Sequence, residues 1–437
     1  MAPIVIALFS FGMSMWKLGR PKSFVFDEVY YVDGARDLLK YGVEVTGKAP
    51  EFIVHPPVGK WFIGFGIKIF GDNSFGWRVA VALVGALTII LVARIALHLF
   101  NSQSISALAA GLMAMDGLHL VHSRTALLDL FLTFFVLCGA LSWLKGNYWV
   151  TGISFGLAIG TKWSGIYFLA IFALMTIYRD YIQNKEKYPQ HLILIKFKSV
   201  LKRVTQFILL PIAVYITSWA GWFLSSRGWD RHWAQDRGSA FTFIPDSIRS
   251  FWHYHAEILN FHTSLTEHHS YQANPWSWLV MGRPTSFLYE TPKNCGASAC
   301  SQEILALGTP LLWWAFTIAL AILVGYWIAS ALHRRIDKNI SFILSGVIAG
   351  YLPWFFFQKR TVFTFYAVVF EPFLILALTY CLHKYLGIGP WERSRKIVVI
   401  LFIGVIAINF AYFMPIFNGS VLSYDQWHQR MWWPSWI

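Results

Sequence analysis

Apolar residues in this chain gather into runs long enough to cross a bilayer, and nothing else in the sequence restricts its fold as severely. Crossing about 30 Å of hydrocarbon takes about 20 residues in a helix. Inside lipid, only helices and closed barrels satisfy every backbone polar group. Runs occur at residues 3 to 18, 78 to 99, 104 to 120, 123 to 144, 148 to 160, 162 to 178, 204 to 224, 308 to 331, 339 to 357, 362 to 383 and 396 to 416. They read as about eleven transmembrane helices, hence an all-α polytopic membrane protein. Of the 437 residues only 13% are charged and 56% are hydrophobic, whereas soluble domains carry about 25% charge.

The formal charge of +14 is a topology signal rather than a nucleic-acid footprint. Basic residues collect in short segments between apolar runs, and no recognition motif accompanies them. Segment 179 to 203 holds Arg179, Lys185, Lys187, Lys196, Lys198, Lys202 and Arg203; Arg334, Arg335 and Lys338 follow later, then Lys384, Arg393, Arg395 and Lys396. The positive-inside rule sends all three clusters to the cytoplasm. Parity then divides the run from 148 to 178 into a hairpin with Lys162 at its outer tip. It also places the N-terminus inside and segments 19 to 77, 225 to 307 and 417 to 437 outside. The N-terminal run lacks a basic leader and a cleavage site, so it reads as a retained span.

Three parts follow. Residues 1 to 224 form an N-terminal membrane module with its first outer loop, 225 to 307 a second outer loop with an interfacial helix, and 308 to 437 a C-terminal four-helix module with an outer tail. In the first outer loop, Trp61 to Phe70 is too short to span and reads as interfacial or re-entrant. In the second, Ile248, Phe251, Trp252, His255, Ile258, Leu259 and His262 recur at three and four, the period of an amphipathic interfacial helix. Cys295 and Cys300 share a polar loop, where a small disulfide and two free thiols are both open readings. The histidines from His253 to His269 do not show the spacing of a closed metal site.

Charges near the bilayer converge on one level. Asp27 and Glu28 follow the first span, Arg78 opens the second, Asp116 closes the third, Arg124 and Asp129 start the fourth, and Lys162, Lys359 and Arg360 sit in outer turns. Intramembrane charges usually face a cavity or one another. Singly, each has a bland reading: Arg124 with Asp129 as a packing ion pair, Lys359 and Arg360 as headgroup anchors, and Asp27 and Glu28 as cap charges. Glu371, about ten residues into its span, is given no role. Together, cations beside outward carboxylates at headgroup depth suit a phosphate carried on a lipid. Asp27 and Glu28, if helical, point about 100° apart and do not share a proton. One serves as general base and the other orients the site, while the rigid His55-Pro56-Pro57 turn has two open readings, holding His55 and Lys60 toward the same pocket or being only a turn.

Phe26-Asp27-Glu28-Val29-Tyr30 with Val54-His55-Pro56-Pro57-Val58-Gly59-Lys60 resembles the first outer loop of the protein O-mannosyltransferases, which depend on dolichyl- or polyprenyl-phosphate-mannose. So do Asp116 with Ser123-Arg124-Thr125-Ala126-Leu127-Leu128-Asp129, and Gly160-Thr161-Lys162-Trp163-Ser164-Gly165. Asn274-Pro275-Trp276-Ser277-Trp278, Arg283-Pro284 and Gly308-Thr309-Pro310 resemble the actinobacterial branch.

The resemblance implies a GT-C fold enzyme that moves mannose, with inversion, from a polyprenyl-phosphate-mannose donor to Ser or Thr of exported proteins. It implies action at the outer face of the plasma membrane, beside lipids and the Sec translocon, without a bound metal or other cofactor. Asp27 is then the base with Glu28 beside it. Arg78, Arg124, Lys162 and Arg360 meet the donor phosphate, and His55, Lys60, Asp116 and Asp129 line the substrate pocket. Eukaryotic members carry a β-trefoil MIR domain between spans seven and eight, and residues 225 to 307 are too few for one. The competing expectations are a GT-C enzyme sending a sugar to a lipid or polysaccharide, and a membrane transporter.

Overall fold

The computed structural model describes all residues except 188–199, 238–242, 294, 334 and 388. Helices dominate, and their starts follow local chemistry. α1 (Ala2–Met15) precedes α2 (Glu28–Tyr41), α3 (Val58–Phe70) and α4 (Ser74–Phe100). Asn73 starts α4 by accepting from the Phe75 and Gly76 N–H groups at 3.0 and 3.1 Å, satisfying donors that a helix start leaves open. Ser102 does the same for α5 (Gln103–Ala114), and Asp116 for α6 (Gly117–His122). α7 (Asp129–Leu144), α8 (Tyr148–Ile159), α9 (Gly165–Lys187) and α10 (Val200–Ser218) complete the N-terminal bundle, with α11 (Ala220–Leu224) just after it.

Beyond these come α12 (Trp233–Arg237), α13 (Asp246–Ser264), α14 (Pro310–Leu332), α15 (Lys338–Tyr351), α16 (Glu371–Leu386) and α17 (Arg393–Phe417). Among the described residues six helical runs are long and apolar enough to cross a membrane: α4, Gly165–Gln183 of α9, α10, α14, Lys338–Phe357 and α17. α1, α5, α7 and α8 are shorter apolar helices. The chain is a helical membrane protein.

Several boundaries differ from the hydropathy runs. The run at 104 to 120 breaks at Met115, because Asp116 caps a new helix. The fourth helix starts at Asp129, after a turn through Arg124 to Leu128. In the run at 362 to 383, residues Thr364–Val369 form a 3₁₀ turn, and Pro372 sits in the first turn of α16. Proline is tolerated there because those N–H groups lack helical partners anyway. Glu371 is therefore the first residue of its helix, not ten residues inside it.

The all-α expectation needs a correction. β1 (Val45–Thr46) pairs with β2 (Ala49–Pro50), and a three-stranded antiparallel sheet is built from β3 (Thr285–Glu290), β4 (Cys300–Ala306) and β5 (Val421–Ser423). The Cys295–Cys300 disulfide closes the β3–β4 connection, and β5 brings the C-terminal segment onto β4. The two segments expected to lie in the interface are helical, as α3 and α13. α3 buries Ile63, Gly64 and Ile67 and exposes Trp61, Phe65 and Ile69.

α11 lies on the end of α2. Gly42 ends α2 in the left-handed region (φ 74°), and Gly221 packs against its carbonyl so closely that a Cβ would collide with backbone. Backbone cannot step aside as a flexible side chain can. Gly221→Ala is therefore expected to destabilise the protein by about 1 to 3 kcal/mol, read as a lower melting temperature in detergent; an unchanged melt would show that this junction yields freely.

Candidate active site

The Asp27-Glu28 couple is split by its surroundings. Glu28 is fully buried. Its Oε1 accepts from Arg78 Nε at 2.7 Å and from the Ala126 N–H at 2.9 Å, and its Oε2 from Arg78 Nη2 at 2.6 Å and the Val25 N–H at 2.9 Å. Arg78 spends its remaining donors on the carbonyls of Leu18 and Pro21 (Nη1, 3.3 and 2.8 Å) and Ser23 (Nη2, 3.0 Å). The expected phosphate contact for Arg78 does not fit this placement, since its guanidinium is enclosed by the chain itself.

Arg124 is similar. Its Nη1 donates to Met13, Ser14 and Trp16 carbonyls at 3.2, 2.8 and 2.8 Å, fastening the end of α1, and it does not pair with Asp129. Asp116 accepts from the N–H groups of Leu118, His119 and Thr309 at 2.7, 3.2 and 3.3 Å and from Trp313 Nε1 at 2.7 Å. That saturated carboxylate joins α6 to α14. Lys60 is buried against Glu44 and reaches the His55 carbonyl at 3.4 Å, so it supports the His55-Pro56-Pro57 turn from behind.

Asp27 faces the other way. It precedes α2 without capping it, which leaves its carboxylate to bond the Tyr31 hydroxyl one turn on. Phe26, just before it, holds a left-handed backbone (φ 51°), a conformation that costs a non-glycine residue about 1 to 3 kcal/mol. Its ring stacks on Phe287 at 4.8 Å and meets Phe365 edge-on at 5.5 Å. That packing fixes the strained residue and with it the direction of Asp27.

Burial pushes the Asp27 carboxyl up to about 6; the Lys162 charge lowers it, the Asp129 charge raises it again, and the Tyr31 bond lowers it. Lys162, in the turn between α8 and α9, donates to both oxygens of Asp129 at 2.8 and 3.0 Å and lies 4.6 Å from the Tyr366 ring centre. Asp129 thus meets Lys162 across two helices.

Beside this pair an open cleft of about 760 Å³ is lined by His55, Lys162, Trp163, His262, Arg360 and Tyr366 together with the apolar Ile166, Leu259 and Phe357. Arg360 Nη2 donates to His262 Nδ1 at 3.3 Å, and His262 Nε2 donates to the Val54 carbonyl at 2.9 Å. Those two bonds fix His262 as the neutral Nε2–H tautomer. Burial, followed by the Arg360 charge, lowers its pKa to about 4. His55 is held well below its ordinary value by burial and then by Lys162, so neither imidazole carries charge at neutral pH. Arg360 Nε has no partner. Among the described residues no group of three His, Cys, Asp or Glu stands together as a metal site.

The site therefore offers one carboxylate with a raised pKa, an ammonium held by a second carboxylate, a guanidinium with donor capacity left, and an apolar wall. Family models match over most of the chain: dolichyl-phosphate-mannose-protein mannosyltransferase over residues 67–220, and the C-terminal four-transmembrane region of protein O-mannosyltransferase over 247–436. A polyprenol-phosphate-mannose–protein mannosyltransferase of Mycobacterium tuberculosis is 34% identical over 94% of this chain and 86% of its own length. The chain belongs to the protein O-mannosyltransferase family.

Family members of the same name from Mycolicibacterium smegmatis and Corynebacterium glutamicum are 33% and 30% identical over 94% of the chain, and it covers 87% and 88% of their lengths. The Saccharomyces cerevisiae Pmt1–Pmt2 complex bound to the sugar donor shares the fold, with a TM-score of 0.81 over 100% of this chain and 92% of that one at 16% identity. ArnT from Cupriavidus metallidurans, bound to undecaprenyl phosphate, superposes with a TM-score of 0.54 at 16% identity, covering 94% of this chain and 64% of that one. The fold is thus GT-C, as the motifs in the first outer loop imply.

Of the expected site residues, His55, Lys162 and Arg360 line one cleft, Asp129 is bonded to Lys162 beside it, and Asp27 lies close enough to feel the charges of Lys162 and Asp129. Glu28, Arg78, Arg124, Asp116 and Lys60 form the supporting frame. Tyr31, Tyr366 and Phe26 carry no sequence signal for their roles; only the packing singles them out. Breaking the buried Glu28–Arg78 pair from one side strands a charge, so Arg78→Ala or Glu28→Ala is expected to lose about 3 to 5 kcal/mol of stability. A Glu28→Ala/Arg78→Ala double variant should lose clearly less than the sum in detergent melts. Additive losses would mean that the two side chains do not depend on each other.

Proposed function

We propose that this protein transfers mannose from a polyprenyl-phosphate-mannose donor to Ser or Thr hydroxyls of exported proteins at the outer face of the plasma membrane. The Asp27 carboxylate with its pKa near 6 carries the reading. A hydroxyl is a weak nucleophile, and a carboxylate whose pKa approaches the working pH removes its proton more effectively than an ordinary one. At neutral pH that carboxyl is still ionised, as a base must be.

The leaving phosphate needs positive charge rather than a proton donor. Lys162 and the Arg360 guanidinium supply it from the cleft wall, a preorganised arrangement that favours charge developing in the transition state. The phosphate-binding role falls to these two residues in place of Arg78 and Arg124. Neutral His55 offers a hydrogen bond to a sugar hydroxyl without competing for the phosphate, while both ring nitrogens of His262 are taken by Arg360 and the Val54 carbonyl. The lipid chain follows the apolar wall at Ile166, Leu259 and Phe357. Attack by the acceptor oxygen on the anomeric carbon, opposite the phosphate, breaks the carbon–oxygen bond to phosphate and inverts that centre. The acceptor proton passes to Asp27. The mycobacterial and corynebacterial relatives, named as polyprenol-phosphate-mannose–protein mannosyltransferases, support the donor and the protein acceptor.

With purified protein, labelled polyprenyl-phosphate-mannose and a Ser/Thr-rich peptide, Asp27→Asn is expected to lower transfer at least 100-fold while the protein melts normally. Near-normal transfer would remove Asp27 as the base. The logarithm of kcat/KM should climb with unit slope below about pH 6 and level above it, because only the ionised carboxylate accepts the proton. Asp129→Asn removes a neighbouring negative charge but leaves Lys162, so it should ease Asp27 ionisation and move that acid limb to lower pH. A limb that stays or moves upward would show that some other group titrates.

A further inference from the structure

A second chamber lies on the far side of the Ile53–Pro57 strap and shares no lining residue with the cleft. Ile53 and Pro57 face this chamber while His55 faces the cleft. Tyr254 clamps the strap, donating to the Ile53 carbonyl at 3.3 Å and accepting from its N–H at 3.1 Å. The chamber encloses about 390 Å³ including its mouth. Its walls are Trp61, Trp219, Trp222, Trp229 and Tyr254, with Glu44 set among them. Tyr254 has Trp229 and Trp219 around it at centroid distances of 5.2 and 5.3 Å.

Two polar atoms there lack partners. Glu44 is 5% exposed; its Oε1 binds Lys60, while its Oε2 has no hydrogen-bond partner. The Trp219 Nε1–H has none either. Buried polar groups are nearly always satisfied, so an unpaired acceptor and an unpaired donor on two residues that line one cavity call for a ligand that supplies both. Lys60 already balances the charge of Glu44, which removes the main attraction for a cation. A neutral ring with hydroxyl groups on its edge and C–H groups on its face matches the indole walls, the free carboxylate oxygen and the free N–H together.

We propose that this chamber binds a pyranose already carried by the acceptor protein, separate from the cleft in which transfer occurs. The pyranose assignment stands on the chamber alone; its place on a glycosylated acceptor rests on the mannosyltransferase reading. A segment bearing one mannose would be held here while a nearby hydroxyl reaches Asp27 across the strap, so modification at one site promotes modification at the next.

Saturation-transfer NMR on the full chain in nanodiscs tests this. The probes are methyl α-mannopyranoside, a Ser/Thr peptide with and without one O-linked mannose, and arginine methyl ester. The mannoside should receive saturation, and the mannosylated peptide should bind at least tenfold more tightly than the bare one. Trp61→Ala, at the rim and 43% exposed, and Glu44→Gln, which leaves Lys60 an amide oxygen but turns the other atom into a donor, should each remove that gain. Asp27→Asn should keep it. Equal binding of the two peptides, a gain that survives both chamber variants, a gain lost with Asp27→Asn, or preference for the arginine probe would each overturn the proposal. Mannoside binding without peptide transfer by the wild-type protein would instead sink the mannosyltransferase reading and leave the pyranose site standing.

Discussion

The ion pair between Glu28 and Arg78 holds the start of α2 to α4. Its worth lies less in net energy than in what it forbids. A charged pair removed from water is costly unless nearly every donor and acceptor is met, and here the pair is met by backbone from the α1–α2 connection and from the turn before α7. Those segments have little freedom to move apart without exposing a charge to an apolar interior. The start of α2 is fixed in this way, and Asp27, one residue earlier, inherits a fixed position.

From that anchor the site is built by opposition. Glu28 is saturated by Arg78 and backbone; Asp27 is held apart from that pair and follows the left-handed Phe26, whose ring is held by Phe287 and Phe365. The same division appears among the cations. Arg78 and Arg124 are consumed by carbonyls, while Lys162 and Arg360 border open space. Residues of one chemical type at one depth thus divide into a frame and a working surface. The difference is whether their hydrogen-bonding capacity is already spent.

Much of this was legible before any coordinates. Long apolar runs announced a membrane protein, the first-loop motifs announced the family, and the amphipathic repeat between Ile248 and His262 matched α13. The misreadings have physical causes. Hydropathy averages over windows, so it could not register the break at Asp116 or the 3₁₀ turn before Glu371, both of which follow from single capping or proline positions. The β3–β4–β5 sheet escaped because its strands are short and one is supplied by the distant C-terminal segment. Arg124 and Asp129 look paired five residues apart, yet tertiary packing gave Asp129 to Lys162.

By itself the sequence determined the solvent in which this protein folds, the helical class that this solvent enforces, and the family to which its spaced motifs belong, because hydrophobic run length and local motif chemistry are written along the chain. Only the tertiary structure decided which charges remain free to act. Partner choice among buried ions depends on who reaches whom across helices, and the chain order carries no record of those distances.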